Sequence, residues 1–225
     1  MKEFRIIELK EGVFKRNADK ANALREKLSR DGTLLLNLMG SPGVGKTTLL
    51  IKSIQMLKDE MSIAVMEADI DSDVDSKAVA RTGTSVIQMH TGGMCHLDAE
   101  MTRQGIDALG ADSADLIILE NVGNLVCPAE FDTGAGKNAM ILSVPEGDDK
   151  PLKYPLMFKV SDALLISKYD TLEMFDFDLD ICIERVKKLN PDIEIFPVSA
   201  KTGEGMEAWI NWLRHEVADV RNRGQ

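Results

Sequence analysis

The sequence predicts an α/β fold, a mainly parallel sheet flanked by helices with a helical arm ahead of its first strand. Three observations predict it. Short apolar runs alternate with helical stretches of ten or more residues, a glycine-rich octapeptide joins the first such run to the next helix, and no apolar run reaches membrane-spanning length.

Taken in order, residues 11–30 mix apolar and charged side chains at helical spacing until Asp31-Gly32 breaks the pattern. This segment reads as the arm. Runs at 33–39, 62–68, 86–89, 116–119, 140–144, 163–166 and 193–198 are short, apolar and bounded by polar, Gly or Pro residues, so each reads as a strand. Helices are expected at 47–59, 99–109, 177–189 and 206–220. Cys182 recurs with Leu179, Ile183 and Val186 at helical spacing and reads as a buried core residue. Alternation of this kind makes βαβ units and places ligand loops at the carboxyl ends of the strands. With 225 residues and no repeat, low-complexity tract or linker, the chain reads as one domain over 1–225, of which 1–31 is the arm.

Charge narrows the function. Against 37 acidic side chains stand 27 basic ones, a net charge of −10 that repels a phosphate backbone and argues against nucleic acid. Met1-Lys2-Glu3-Phe4-Arg5 carries charge where a secretory signal needs an apolar run, so a soluble, cytoplasmic chain is expected, with no membrane contact. Its three cysteines, an odd number, are expected to be reduced thiols.

Gly40-Ser41-Pro42-Gly43-Val44-Gly45-Lys46-Thr47 matches G-x-x-x-x-G-K-[ST] between a strand and a helix, the context a phosphate-binding P-loop requires. Glycines at 40, 43 and 45 leave backbone amides open to a β-phosphate, and the helix amino terminus through Thr48 adds favourable partial charge. Lys46 is expected to bridge the β- and γ-phosphates, and Thr47 to give its hydroxyl to Mg2+. A later strand runs into Glu120-Asn121-Val122-Gly123, where Glu120 can hold a Mg2+-bound water and the Gly123 amide can meet the γ-phosphate. Asp69, Asp71, Asp73 and Asp75 crowd the loop after the second strand; of these, Asp69 and Asp75 are the candidates for Mg2+ or for positioning water. Lys46, Asp75, Glu120 and Gly123 form the expected catalytic set.

Base choice rests on two loops. In Ser167-Lys168-Tyr169-Asp170 the Asp170 carboxylate can accept hydrogen bonds from guanine N1 and N2, a pair adenine cannot supply, while the Lys168 stem lies across the base. A backbone amide of Ser199-Ala200-Lys201 can donate to O6. These loops are similar to the N-K-x-D and S-A-K motifs of GTPases, with Ser167 in place of asparagine; that change removes an amide that braces the phosphate loop, and weaker nucleotide binding is expected. An adenine-specific kinase of the same fold is disfavoured by Asp170.

Cys95-His96 sets a thiol beside an imidazole, a pairing suited to Zn2+ or Ni2+, and Cys127 follows Glu120 by only seven residues. Spacing alone leaves two readings open: a three-ligand metal site, or unrelated thiols near a packed histidine. His90 and His215 read as ordinary surface or core residues.

Gly-Met-Cys-His-Leu-Asp-Ala-Glu-Met at 93–101, Glu-Asn-Val-Gly-Asn-Leu-Val-Cys-Pro at 120–128 and Ser-Val-Pro-Glu-Gly-Asp-Asp-Lys at 143–150, with the P-loop, resemble the HypB family, GTPases that help insert nickel into [NiFe] hydrogenase. The resemblance covers nearly the whole chain. It implies a P-loop GTPase fold of the SIMIBI type, slow hydrolysis of GTP to GDP, and a GTP-dependent homodimer with Ni2+ or Zn2+ held at its interface by Cys95, His96 and Cys127. It further implies that a lysine after Gly147, Lys153 in preference to Lys150, reaches the partner's nucleotide. The implied partners are a nickel-binding accessory protein of the HypA type and a hydrogenase large-subunit precursor. Neither the cysteine-rich motif nor the histidine-rich stretch of some family members is present, so storage of many nickel ions is not expected. Two alternatives remain: a metallochaperone GTPase serving urease or a cobalamin enzyme, and a nucleotide-binding module stapled by structural zinc.

Overall fold

The computed structural model describes residues 9–69, 74–110 and 114–224. Seven strands, β1 (Leu34–Gly40), β2 (Ile63–Asp69), β3 (Ser85–His90), β4 (Leu116–Glu120), β5 (Lys137–Ser143), β6 (Ala163–Ser167) and β7 (Glu194–Pro197), build one sheet. Its order is β3-β2-β4-β1-β5-β6-β7, and every neighbouring pair is parallel. All seven expected strands are therefore found. The chain leaves β1 toward β2 and β3, returns as β4, and then runs outward on the other side of β1. That reversal opens the crevice at the carboxyl end of β1, where ligands bind in sheets of this kind.

The helices are α1 (Leu9–Arg30), α2 (Lys46–Leu57), α3 (Val74–Ala80), α4 (Ala99–Leu109), α5 (Cys127–Glu130), α6 (Lys150–Lys153), α7 (Pro155–Lys159), α8 (Leu179–Leu189) and α9 (Met206–Gly224). The four longer helices expected after the arm are α2, α4, α8 and α9; α3, α5, α6 and α7 were not foreseen, because four to seven residues give no measurable helical period. Two boundaries moved for local reasons. Helix α8 begins at Leu179 because the Asp178 carboxylate accepts from the Ile181 amide and caps it. Strand β5 begins at Lys137, three residues before the apolar run, because the Asn138 amide group pairs with the Asn37 side chain on β1.

Successive residues of β1 point to opposite faces, and both faces are covered. Leu34, Leu36 and Leu38 pack with Leu50 and Ile54 of α2 and with Trp209 and Leu213 of α9. On the other face Leu35 packs with Leu24 and Leu28 of α1 and Ile106 of α4. Each such fully buried side chain contributes about 1.5–3 kcal/mol. Trp209 Nε1 donates to Ser53 Oγ at 3.0 Å and so fixes α9 on the P-loop helix. The arm is docked rather than loose: Asn17 Oδ1 accepts from the Ala99 amide at the head of α4, and Arg25 pairs with Asp132 at 2.7 Å. Cys182 is fully buried in the core beneath α8, which pushes its thiol up to about 12. Among the described residues no helix is long and apolar enough to cross a membrane.

Candidate functional site

The loops after the strand ends meet along one edge of the sheet. A cavity of about 500 Å³ opens there, lined by Pro42, Gly43, Gly45, Lys46 and Thr47 of the P-loop and by Glu120 and Gly123 after β4. Gly40 cannot be larger: a Cβ would lie 2.8 Å from the Ile141 carbonyl oxygen. At Gly123 a Cβ would lie 3.1 Å from Pro42 N, so glycine lets the two loops approach without displacing Pro42. Lys46 is buried, and its ammonium folds onto the carbonyl oxygens of Gly40 (3.4 Å) and Ser41 (3.2 Å) beside the space a phosphate would take. Helix α2 points its amino terminus into the cavity, with Thr48 on its wall.

Thr47 Oγ1 donates to Glu120 Oε1 at 3.1 Å, so the two residues expected at Mg2+ stand side by side. Asp69 and Asp75 line the same cavity, Asp75 from the first turn of α3, while Asp71 and Asp73 lie outside the described residues. One residue that sequence reasoning missed, Glu67, faces Glu120 in register on β2, and Gln88 faces Glu67 on β3. Glu67 and Glu120 are 3% and 4% exposed. Burial holds both well above the usual carboxylate range; Glu120 and Asp75 raise Glu67 further, and Lys46 pulls Glu120 down. The two carboxyl groups face each other across adjacent strands, and burial favours the neutral form of each. Buried atoms Glu67 Oε1, Glu120 Oε2 and Gln88 Nε2 have no hydrogen-bond partner among the described residues. Oxygen-rich, acidic and short of partners, this wall fits a hydrated Mg2+.

A second cavity, of about 250 Å³, shares Gly45 and Thr48 with the first. Lys168, Asp170, Ala200 and Lys201 line it, so the two expected base loops do come together. Tyr169 N donates to the Val198 carbonyl at 3.1 Å and ties them directly. Ser199 is fully buried; its Oγ accepts from the Thr202 amide and shapes the loop. Lys168 adopts φ 56°, and its Nζ donates to the Gly43 carbonyl at 2.8 Å, drawing its stem across the cavity mouth. Ser167 still contacts the P-loop. Its Oγ donates to the Val44 carbonyl at 2.7 Å, so a hydroxyl braces the P-loop where an amide was expected.

Cys95 and His96 lie in the loop after β3, and Cys127 is the first residue of α5. Their ligand atoms fall within 4.8 Å of one another, the Cys95 and Cys127 sulfurs 2.6 Å apart. Both thiols are free. Contact with Cys95, then burial, pushes the Cys127 thiol up; burial lowers His96, whose ring stacks on Phe131 at 3.6 Å. Thiolate sulfur and imidazole nitrogen suit Ni2+ or Zn2+, and three ligands leave a four-coordinate site one short. The segment between Glu120 and Cys127 is held at several points. Asn121 Nδ2 donates to Asn37 Oδ1 at 3.0 Å, the Val126 amide donates to Asn124 Oδ1 at 2.7 Å, and Asn124 bridges to Gly40 at the start of the P-loop.

Lys153 lines neither cavity; it faces solvent and pairs with Asp149 at 2.5 Å. The signal that could have found Glu67 and Asn37 was visible: each is a polar residue inside an otherwise apolar strand run. His90 is exposed, and the exposed His215 lies 3.6 Å from Asp219.

Residues 34–197 match the nucleotide-binding domain of the CobW/HypB/UreG family. Hydrogenase maturation factor HypB of Escherichia coli (strain K12) is 44% identical over 213 residues, 95% of this chain and 73% of the relative. The crystal structure of HypB from Helicobacter pylori in complex with nickel superposes with a TM-score of 0.85 at 40% identity, over 91% of this chain and 96% of that one. The signal recognition particle 54 kDa protein from Aeropyrum pernix, a GDP complex of the SIMIBI fold, aligns with a TM-score of 0.55 at 12% identity over 85% of this chain and 49% of that one, which speaks for the fold alone.

Proposed function

We propose, from the premise that the chain belongs to the HypB hydrogenase maturation factors of the CobW/HypB/UreG nucleotide-binding family, that it is a slow GTP hydrolase that carries nickel and releases it under nucleotide control. One observation carries this reading. The segment 120–127 begins in the phosphate cavity at Glu120, pairs with the P-loop through Asn124 and Gly40, and ends on the metal ligand Cys127. A change at the γ-phosphate is thus transmitted to the thiol over seven residues of braced backbone.

In this reading Asp170, with the amides of Ala200 and Lys201, selects guanine. Lys46 and the P-loop amides hold the β- and γ-phosphates, and the Gly123 amide meets the terminal one. Thr47 and Glu120 hold Mg2+, with Asp69 or Asp75 behind them; the ion supplies charge neutralisation for the phosphates. Asp75 or Glu120 positions the attacking water. Cys95, His96 and Cys127 hold Ni2+ or Zn2+, and a second copy of the chain completes the coordination in the GTP state. The exposed side chains of Met94 and Val126, which flank Cys95 and Cys127, support an interface there. Lys153, held outward on its own chain, then reaches the partner's nucleotide. The whole chain works as one GTPase unit in the cytoplasm, receiving nickel from an accessory protein of the HypA type and passing it to a hydrogenase large-subunit precursor.

Light scattering with metal analysis, on chain loaded with GDP or with a non-hydrolysable GTP analogue, tests this. The expected result is a doubling of mass and a change in bound nickel with the analogue. Equal mass and equal metal in both states would overturn nucleotide gating and leave a structural metal staple.

A further inference from the structure

Glu120 has a buried acidic neighbour with no role in GTP hydrolysis so far. Glu67 is 3% exposed, sits in the middle of a sheet between β3 and β4, and puts a second carboxyl group against a first. The rest of β2 from Ile63 to Ala68 is apolar, so the fold itself needs no acid at this position. Burying one without a compensating partner costs several kcal/mol. Three facts give its direction. Val65 packs on the α2 face of the sheet, and alternation puts Glu67 on that face too, under α2 and α3. Register places Gln88, Glu67 and Glu120 in one row across β3, β2 and β4. All three line the phosphate cavity, and each keeps one buried polar atom without a partner among the described residues.

We propose that Glu67, with Gln88 beside it in register, is a positioning residue for the nucleotide's Mg2+: it steers Glu120 and holds water of the ion's hydration shell, and so sets how much Mg2+ the nucleotide-bound protein requires. This rests on the reading of the cavity as a Mg2+–guanine nucleotide site. Adjacent strands lie about 4.8 Å apart, which puts Glu67 one strand beyond Glu120 and two beyond the P-loop strand, the distance of an outer layer and not of a direct phosphate contact. Mg2+ keeps several of its waters when bound, so an outer layer of oxygen and amide acceptors and donors has something to hold. Lys46 does not fill this role for Glu67, since its ammonium is occupied by the Gly40 and Ser41 carbonyls.

The experiment follows a fluorescent GDP analogue on the whole chain, with and without Mg2+. Outer-layer partners of a bound metal typically contribute 10–100-fold to its affinity. The Glu67→Gln variant is expected to raise the Mg2+ concentration at half-saturation by about 10-fold or more, with GDP affinity in EDTA unchanged. Gln88→Met, which removes only the amide at the end of the row, is expected to move it the same way by less, and it decides alone should Glu67→Gln fail to fold. An unshifted Mg2+ requirement in either folded variant overturns the proposal. So does an equal loss of GDP affinity with and without the ion, which would mark a merely structural residue. If the unmodified chain binds guanine nucleotide without any Mg2+ dependence, the underlying site reading falls instead, and that outcome is distinct from both.

Discussion

The phosphate cradle and the metal corner lie at the same edge of one sheet, yet they are built in opposite ways. The cradle is made of buried strand ends and a helix terminus whose positions are fixed by register; its side chains are already braced, as Ser167 on Val44 and Thr47 on Glu120 demonstrate. The corner is made of two loops, with half-buried ligands and exposed apolar neighbours. The two cavities of the cradle are lined within one chain, whereas the corner offers three ligands and is one short of a closed tetrahedral site. A rigid half can report nucleotide state faithfully, and an incomplete half can respond to it.

The cradle is most sensitive where it meets the base. Asp170→Asn should lower GTP affinity by about 10³-fold or more and favour xanthosine triphosphate, because the amide donates where xanthine offers an oxygen and a pocket built for hydrogen bonds rejects the unmatched base strongly. Competition binding checks this, and an unchanged base preference would sink the guanine assignment. At the corner, Cys127→Ala should weaken nickel binding by about 10²-fold or more, chiefly in the GTP state, as followed by metal titration in each nucleotide. Equal loss in GDP and GTP would mean that the 120–127 segment carries no signal.

Two smaller changes sharpen the contrast. Ser167→Ala removes the brace on the P-loop and leaves a buried carbonyl unpaired, which should cost about 1–1.5 kcal/mol, roughly tenfold in GDP affinity by fluorescence titration, while nickel affinity in the absence of nucleotide stays the same. Asn17→Ala removes a side chain that lines neither cavity and receives the Ala99 amide at the head of α4. Calorimetry should find about 1 kcal/mol of lost stability, a fall of roughly 2–4 °C in Tm, with GDP binding intact. A nucleotide-binding defect in that variant would mean that the arm is part of the switch.

Most of the cradle was legible in the sequence because its parts are local. The octapeptide from Gly40 to Thr47, Glu120 at a strand end and the run Ser167 to Asp170 each declare their chemistry through neighbours a few residues away, and the structure brings residues of each to two adjoining cavities. The short helices escaped because their length is below the helical period. Glu67 shows as a lone acid in an apolar run, but its place opposite Glu120 and Gln88 escaped because nothing in a single strand says what its neighbours place opposite it. The brace from Ser167 escaped for the same reason: whether a shorter side chain can reach Val44 depends on where β6 lies beside the P-loop.

By itself, then, the sequence determined the α/β alternation, the seven strands, the P-loop and the residue types able to hold guanine and a soft metal, since each follows from spacing along the chain. Only the tertiary structure decided strand order and register, and with them every relation between distant residues: Glu67 against Glu120, Asn124 against Gly40, and Cys95 and His96 beside Cys127. A parallel sheet joins segments that are dozens of residues apart, and their pairing is set by the burial of both faces at once, a condition that no local stretch of sequence carries.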